Sequence, residues 1–290
     1  MKRNSLADGI ARLARHEGPN EGAYPGTLLW RLSRAEKPTP MLYPACIIFV
    51  GQGEKRGFLG DDTIVYDPKH YLVVLSPLPM LCQTLASPAG PVLTLAMEID
   101  LALLREMLAE LEPDAHVDVA KPVRGAFRAK LDDELERTAH RFLACLGDAR
   151  ATRVLARQTL REILFRVTLG PHGDALRSLA QTHGPTAQLG RVMRHIAERY
   201  AERTSIEALA KLAHMSVPTF HQHFKAMTST SPLQYVKGIR LTRAKQLILA
   251  GSSAKNAARD VGYESESQFS REFLRLFGVR PSEVRAYRDQ

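Results

Sequence analysis

The chain has 290 residues, 44% hydrophobic and 24% charged, with 40 Lys or Arg against 31 Asp or Glu and 3 Cys. At about 150 residues per domain this is material for two globular domains, and it is too poor in cysteine for a disulfide scaffold. No apolar run approaches the roughly 18 residues of a membrane-spanning helix, and the opening MKRNSLADGIARLARHEG lacks the apolar core of a secretion signal, so a soluble, cytoplasmic, reduced protein is expected.

An amphipathic helix is expected over 5–16. Strands follow at 28–32 (LLWRL), 46–50 (CIIFV), 63–66 (TIVY), 71–76 (YLVVLS) and 92–99 (VLTLAMEI). Turns separate them at Lys37-Pro38-Thr39-Pro40, Gly51-Gln52-Gly53, Gly60-Asp61-Asp62, Asp67-Pro68 and Ser87-Pro88-Ala89-Gly90-Pro91. Short strands at this spacing predict an antiparallel barrel or sandwich, jelly-roll forms included. Trp30, Tyr43, Phe49, Tyr66 and Tyr71 are candidates to line a ligand pocket inside it, with plain core packing as the competing role. His70 is alone among the strands and there is no His-x-His or Cys-x-x-Cys, so no metal, no cofactor and no enzymatic activity are expected. Cys46 and Cys82 lie in apolar runs, where inert burial competes with redox sensing; Cys145 lies on a helix.

From Leu101 the apolar period turns helical. Leu101, Leu104, Leu108 and Leu111 form a stripe before Pro113, and 129–145 and 150–168 carry Leu131, Leu135, Phe142, Leu155, Leu160, Leu164 and Val167 at helical spacing. Such stripes must be covered, by the barrel or by a second subunit, and a homodimer is expected. Residues 181–186 (QTHGPT) read as a linker. The expected division is 1–115 for the effector domain, 116–185 for a helical connector and dimerisation segment, and 186–290 for the last domain.

Charge separates these regions. Residues 191–290 carry 17 Lys or Arg against 9 Asp or Glu, whereas residues 1–190 carry 23 against 22. A near-neutral body with a basic end points to a polyanionic partner, although a solvated basic face has the same composition. The basic end is also a repeat. At an offset of 49, Ser216 falls on Ser265, Phe220 on Phe269, Phe224 on Phe273 and Pro232 on Pro281, and upstream Ala208 falls on Ala257, Leu212 on Val261 and Ala213 on Gly262. Each unit reads as a short helix, a tight turn and a second helix capped by Ser216 or Ser265. Thr204 with Glu207, and Ser253, mark the first helices. Phe220 and Phe224, like Phe269 and Phe273, share one face at i, i+4. Two helix-turn-helix units in register are thus expected, joined by an amphipathic helix over 232–250 that Ser231-Pro232 opens. Nineteen residues at 1.5 Å span about 28 Å, a rod that can hold the two second helices about one turn of B-DNA, roughly 34 Å, apart.

The segment 191–288 resembles the DNA-binding domain of AraC/XylS-type transcription regulators. The likeness rests on Ala208-Leu209-Ala210, Met215-Ser216, Phe220-His221-Gln222-His223-Phe224-Lys225, Ser231-Pro232, Arg240-Leu241-Thr242-Arg243-Ala244, Val261-Gly262-Tyr263, Ser265, Gln268-Phe269-Ser270-Arg271-Glu272-Phe273 and Phe277-Gly278-Val279-Arg280-Pro281. The N-terminal part is similar to the cupin-like effector domain of one subgroup, through YPACIIFVGQG (43–53), Lys55-Arg56 and His70-Tyr71-Leu72-Val73-Val74. The resemblance implies an α+β protein: an N-terminal cupin-like antiparallel β-barrel with a helical connector, then an all-α domain with two helix-turn-helix units. It also implies double-stranded DNA, RNA polymerase and an unidentified small-molecule effector as partners. A constitutive DNA binder whose barrel only dimerises, and a small-molecule-binding cupin enzyme, remain the alternatives.

On the second helix of each unit, residues opposite the Phe pair face outward. These are Pro218, His221, Gln222 and Lys225 in the first unit, and Glu266, Ser267, Gln268, Ser270 and Arg271 in the second. Gln suits adenine, Arg271 suits guanine O6/N7, and Glu266 suits cytosine N4. For Arg271 an ion pair with Asp260 is the competing role. Lys237, Arg240, Lys255 and Arg275 are candidates for phosphate contacts, with simple solvation as the alternative.

Overall fold

The computed structural model describes residues 5–86, 90–111 and 122–284. Helix α1 (Leu6–Leu13) opens it, capped reciprocally by Ser5 and Asp8. Strands follow as β1 (Gly18–Glu21), β2 (Thr27–Leu32), β3 (Glu36–Tyr43), β4 (Cys46–Gln52), β5 (Glu54–Leu59), β6 (Asp62–Tyr66), β7 (His70–Val74), β8 (Leu78–Leu85) and β9 (Val92–Glu98). Helix α2 (Leu101–Leu111) precedes strand β10 (Ala126–Lys130). The rest is helical: α3 (Asp133–Leu146), α4 (Ala149–Thr168), α5 (Gly173–Ala180), α6 (Pro185–Glu198), α7 (Ile206–Leu212), α8 (Val217–Thr228), α9 (Pro232–Leu249), α10 (Ala254–Asp260) and α11 (Glu266–Phe277).

The strands form two antiparallel sheets, one ordered β1-β2-β9-β4-β7-β10 and the other β3-β8-β5-β6. Alternation sorts their faces. In the second sheet Lys55 pairs with Tyr66 and Thr84, and Tyr43 pairs with Leu78, so these side chains look inward between the sheets. The Lys55 ammonium lies 5.8 Å from the Trp30 ring of the first sheet, which closes the sandwich. The other face of the first sheet is covered by helices. A Cβ on Gly51 would stand 2.8 Å from the Ala7 backbone of α1, and α3 and α4 pack beyond it.

Several elements differ from expectation. Lys37-Pro38-Thr39-Pro40 is strand, not turn. It belongs to β3, whose register shifts between Glu36 and Thr39 and which lies at a sheet edge, where proline costs no ladder bond. Strands β1, β5, β8 and β10 escape a periodicity reading because they are short or rich in charge, Gly or Pro. Residues 126–130 extend the first sheet beside β7, so the helix expected from 129 starts at Asp133, behind its cap Asp132. In α4 Leu155 is exposed, and the buried stripe runs through Ala156, Leu160, Ile163, Leu164 and Val167. In α2 it is Leu103, Leu104 and Met107 that are buried.

The 181–186 segment is not a passage into a detached body. Only 181–184 lie between α5 and α6, and the buried core runs from the barrel through Leu176 and Leu179 into Leu189, Val192, Met193, Phe220, Phe224 and Tyr235. Gly125 N–H donates to Met227 O at 2.9 Å, and the Tyr235 hydroxyl donates to Pro77 O, joining barrel and first repeat. A second, separate core holds Leu241, Ala244, Ile248, Ala257, Ala258, Val261, Phe269, Phe273 and Val284. Helix α9 serves both cores, so it is not the single-stripe amphipathic helix expected. Tyr235 and Ile239 enter the first core, Leu241, Ala244 and Ile248 the second, and Leu233 is exposed. The position 115 boundary lies outside the described residues.

Candidate nucleic-acid interface

Each repeat folds as two helices with a capped second member. Ser216 Oγ accepts from Thr219 N at the start of α8, and Ser265 Oγ from Gln268 N at the start of α11. Pro218 sits in the first turn of α8, where its missing N–H is not needed. Phe220 and Phe224 are buried with ring centroids 5.4 Å apart, and Phe269 and Phe273 repeat that distance.

The repeat's upstream half is corrected by one residue. Helix α7 is capped by Ser205, which accepts from Ala208 N, and not by Thr204. Its counterpart α10 is capped by Ser253, an offset of 48. The turns agree at that offset: His214 and Gly262 both take positive φ, 52° and 84°. Met215 N–H bonds Ala210 O and Tyr263 N–H bonds Ala258 O, both at 3.0 Å. Leu209 therefore matches Ala257, and Ala213 matches Val261. The second turn is one residue longer, at Glu264, whose carboxylate pairs with Arg203. A Cβ on Gly262 would stand 2.3 Å from Ala201 O, so this turn needs glycine on two counts.

The outward faces are open. Pro218, His221, Gln222 and Lys225 are exposed on α8, and Glu266, Ser267, Gln268, Ser270 and Arg271 on α11. Arg271 has no carboxylate partner among the described residues. Asp260, its candidate partner, contacts Arg259 at 3.5 Å. Lys255 pairs with Glu266 at 3.3 Å on the surface. Arg275 is exposed.

Two basic residues expected at phosphates are engaged inside the domain. Arg240 donates to the carbonyls of Tyr200, Gly262 and Glu202, tying the second turn to the end of α6. Lys237 bonds Glu272 at 2.7 Å, and Tyr263 Oη and Gln268 Nε2 donate to the same carboxylate. Burial raises the Glu272 pKa, but the bonds from Lys237, Tyr263 and Gln268 outweigh it and hold the carboxyl below its usual range.

The five aromatic candidates of the barrel divide by face. Trp30, Tyr43 and Tyr66 belong to the interior, where the Tyr43 and Tyr66 hydroxyls lie 3.1 Å apart and Tyr66 Oη is 3.6 Å from Cys82 Sγ. Phe49 and Tyr71 face the helices instead. Their rings pair at 5.9 Å, and a Cβ on Gly170, just after α4, would stand 3.1 Å from Tyr71 Oη. The interior residue missed from sequence is Lys55, 4% exposed, with no carboxylate partner among the described residues. Its signal was a lysine at an inward position of an alternating strand. Cys46, Cys82 and Cys145 are all buried, and burial raises the Cys46 thiol well above its ordinary value, against a reactive thiolate. Among the described residues no three His, Cys, Asp or Glu come together as metal ligands.

The family model described as the AraC-type transcriptional regulator N-terminus matches residues 23–175, more than half of the chain. The chain belongs to the AraC-type transcriptional regulators. A helix-turn-helix domain model matches residues 209–287 of this AraC-type chain. Among relatives, the RCS-specific HTH-type transcriptional activator RclR of Escherichia coli (strain K12) is 36% identical over 99 residues, 34% of this chain and 35% of that protein. The HTH-type transcriptional activator RhaS of Escherichia fergusonii is 29% identical over 164 residues, 55% of this chain and 58% of that one. The AraC-type chain thus spans under two thirds of the length of these relatives. In fold it is similar to a single-residue variant of apo ToxT from Vibrio cholerae, at a TM-score of 0.60 and 10% identity over 93% of this chain and 99% of that one. A ToxT structure bound to an unsaturated fatty acid aligns at 0.59 and 8% identity over 89% and 93%. The α+β architecture, a cupin-like sheet domain followed by paired helix-turn-helix units, is that of ToxT.

Proposed function

We propose that this chain is a sequence-specific DNA-binding regulator that reads two successive major grooves and controls transcription from nearby promoters in response to a small molecule. The observation that carries this is the pairing of α8 and α11. Each is Ser-capped, anchored by a buried Phe pair and open along its polar face, and together they flank an 18-residue helix about 27 Å long. In α8, His221, Gln222 and Lys225 reach bases and Pro218 lies against the groove wall. In α11, Arg271 reads guanine, Gln268 adenine, and Ser267 and Ser270 fill between them, with Glu266 accepting from cytosine once Lys255 turns to phosphate. Arg275 holds the backbone. The relatives named as activators support recruitment of RNA polymerase, and the exposed Val154 and Leu155 of α4 support a homodimer through the helical layer. The effector enters between the sheets and touches Trp30, Tyr43 and Tyr66, and the protein works in the cytoplasm.

The deciding experiment is footprinting on the DNA upstream of the protein's own and neighbouring genes, followed by affinity measurements across salt. A protected site spanning two adjacent major grooves, bound at least about a thousandfold more tightly than random duplex, is expected. Equal affinity for all duplexes would overturn the reading.

A further inference from the structure

Where strand β7 leaves the barrel it passes beneath helix α6, and two buried polar atoms there have no partner. Ser76 is completely buried and its Oγ makes no hydrogen bond among the described residues. Arg194 Nη1, on α6, is buried and likewise unbonded. Both lie beside Gly190, where an added Cβ would stand 3.3 Å from Ser76 Oγ and 3.5 Å from Arg194 Nη1, and 3.1 Å from Leu179 Cδ1. An unsatisfied buried guanidinium nitrogen is expensive, and such groups are otherwise almost always bonded.

The charge around it has the same sign. Arg194 feels Arg105 of α2 and Arg191 of α6, and burial together with these two cations lowers its pKa; exposed Glu198 pulls the other way but forms no ion pair with it. Arg105 donates Nε to Ala180 O and Arg191 donates Nη1 to Thr182 O, which leaves their remaining nitrogens directed to no carboxylate among the described residues. The acids of α2 are taken, Glu106 by Arg157 and Glu110 by Arg161. Arg194 thus ends beside an enclosed hydroxyl, in the field of two further guanidinium groups and with no carboxylate bonded to it among the described residues.

The geometry points to a binding site for a small oxyanion, a carboxylate or phosphate group, held by Arg194 and Ser76 beside Gly190, with Arg105 and Arg191 adding positive charge around it. Ser76 Oγ and Arg194 Nη1 are each closed off from solvent, which admits a compact group and excludes a duplex backbone. A compact oxyanion accepts charge-assisted bonds of about 2.8 Å from donors of these two kinds. Occupancy would clamp the end of β7 to α2 and α6, one residue from Pro77, whose carbonyl holds Tyr235 of the first repeat. The site is separate from the barrel interior and does not depend on duplex reading.

Calorimetric titration of the full-length protein with inorganic phosphate and with acetate, chloride keeping ionic strength constant, tests it. Saturable binding of one anion per chain is expected. Phosphate preferred over acetate assigns a phosphate source, and acetate equal to or tighter than phosphate assigns a carboxylate. Arg194→Gln and Gly190→Ala should each weaken binding about tenfold or more. Arg105→Gln, on the exposed rim, should weaken it several-fold in a chain that folds normally. Without anion, Ser76→Ala should leave the melting temperature unchanged or higher, because it removes an orphaned hydroxyl. The proposal is overturned if phosphate and acetate act no differently from chloride, if the Arg194 and Arg105 variants bind like the wild type, if a crystal soaked in phosphate shows only water at Ser76, or if Arg194→Gln abolishes random-duplex affinity instead.

Discussion

The two helix-turn-helix units share a sequence pattern but differ in what holds them. The first has its aromatic pair inside the core that runs on from the barrel, with Phe224 against Tyr235 at 5.1 Å and main-chain contact to Gly125. The second closes on itself around Phe269, Phe273 and Val261, with the Glu272 cluster of Lys237, Tyr263 and Gln268 as its polar lock. Similar local codes therefore yield one unit whose aromatic pair lies in the core shared with the sheet domain and one that packs around a core of its own. Any signal from the barrel reaches the first unit through the shared core, and the second through α9 and through the contact of α11 with the edge strand β3.

The sharpest way to break this comparison is to empty one core at a time. Phe273→Ala should cost about 3–5 kcal/mol in the second unit alone, whereas Phe224→Ala should cost a similar amount in the main body. Calorimetry with hydrogen exchange resolves the two, and uniform loss of protection from either variant would refute separate cores. Next in size is DNA reading. Arg271→Ala should weaken operator binding by about 1–3 kcal/mol with little change on random duplex, while Arg275→Ala should weaken both alike and flatten the salt slope. An unchanged operator preference in Arg271→Ala would remove α11 from base reading.

Acid titration compares the same two regions. Glu162 sits in the helical layer with Arg141, Arg166 and Thr138. Burial opposes ionisation there, but these bonds win and take its pKa down to about 2. Glu272 is also lowered, in the second unit. A depressed carboxylate adds stability above its unfolded pKa and loses it as pH falls through the folded one. The main body should therefore weaken between about pH 4.5 and about 2 through Glu162. The second unit should weaken below the ordinary carboxylate range through Glu272. Glu162→Gln and Glu272→Gln should each flatten only their own transition.

Smaller effects sharpen the junction and the caps. Tyr235→Phe should cost about 1 kcal/mol by removing the bond to Pro77 O, and double-mutant cycles with Phe224→Ala, but not Phe273→Ala, should show coupling. Ser205→Ala should cost about 1 kcal/mol of helix α7 and Thr204→Ala almost nothing, measured by denaturant midpoint. Equal effects at the two positions would restore the upstream register of 49.

Much of the candidate interface was legible because its determinants are local. Serine caps, the i, i+4 Phe pairs and Ser231-Pro232 act within a turn or two of chain, so Ser216, Ser265 and α9 stand where the residues indicate. The misplaced cap at Thr204 shows the limit: two adjacent hydroxyl residues qualify, and only backbone geometry chooses Ser205. Lys237 and Arg240 show another limit. Both sit in a basic segment with helical spacing, and nothing within one turn of either reveals Glu272, Tyr200 or Gly262 as its partner.

The order of strands then helices, the repeat and its open polar faces are written in the residues themselves, since periodicity, capping and charge are properties of short stretches. Tertiary structure alone decided which aromatics enter the barrel, why the first repeat joins the barrel's core, and how Ser76 meets Arg194 beside Gly190. Those outcomes depend on which distant surfaces exclude water together, and residues far apart in the chain carry no mark of that pairing.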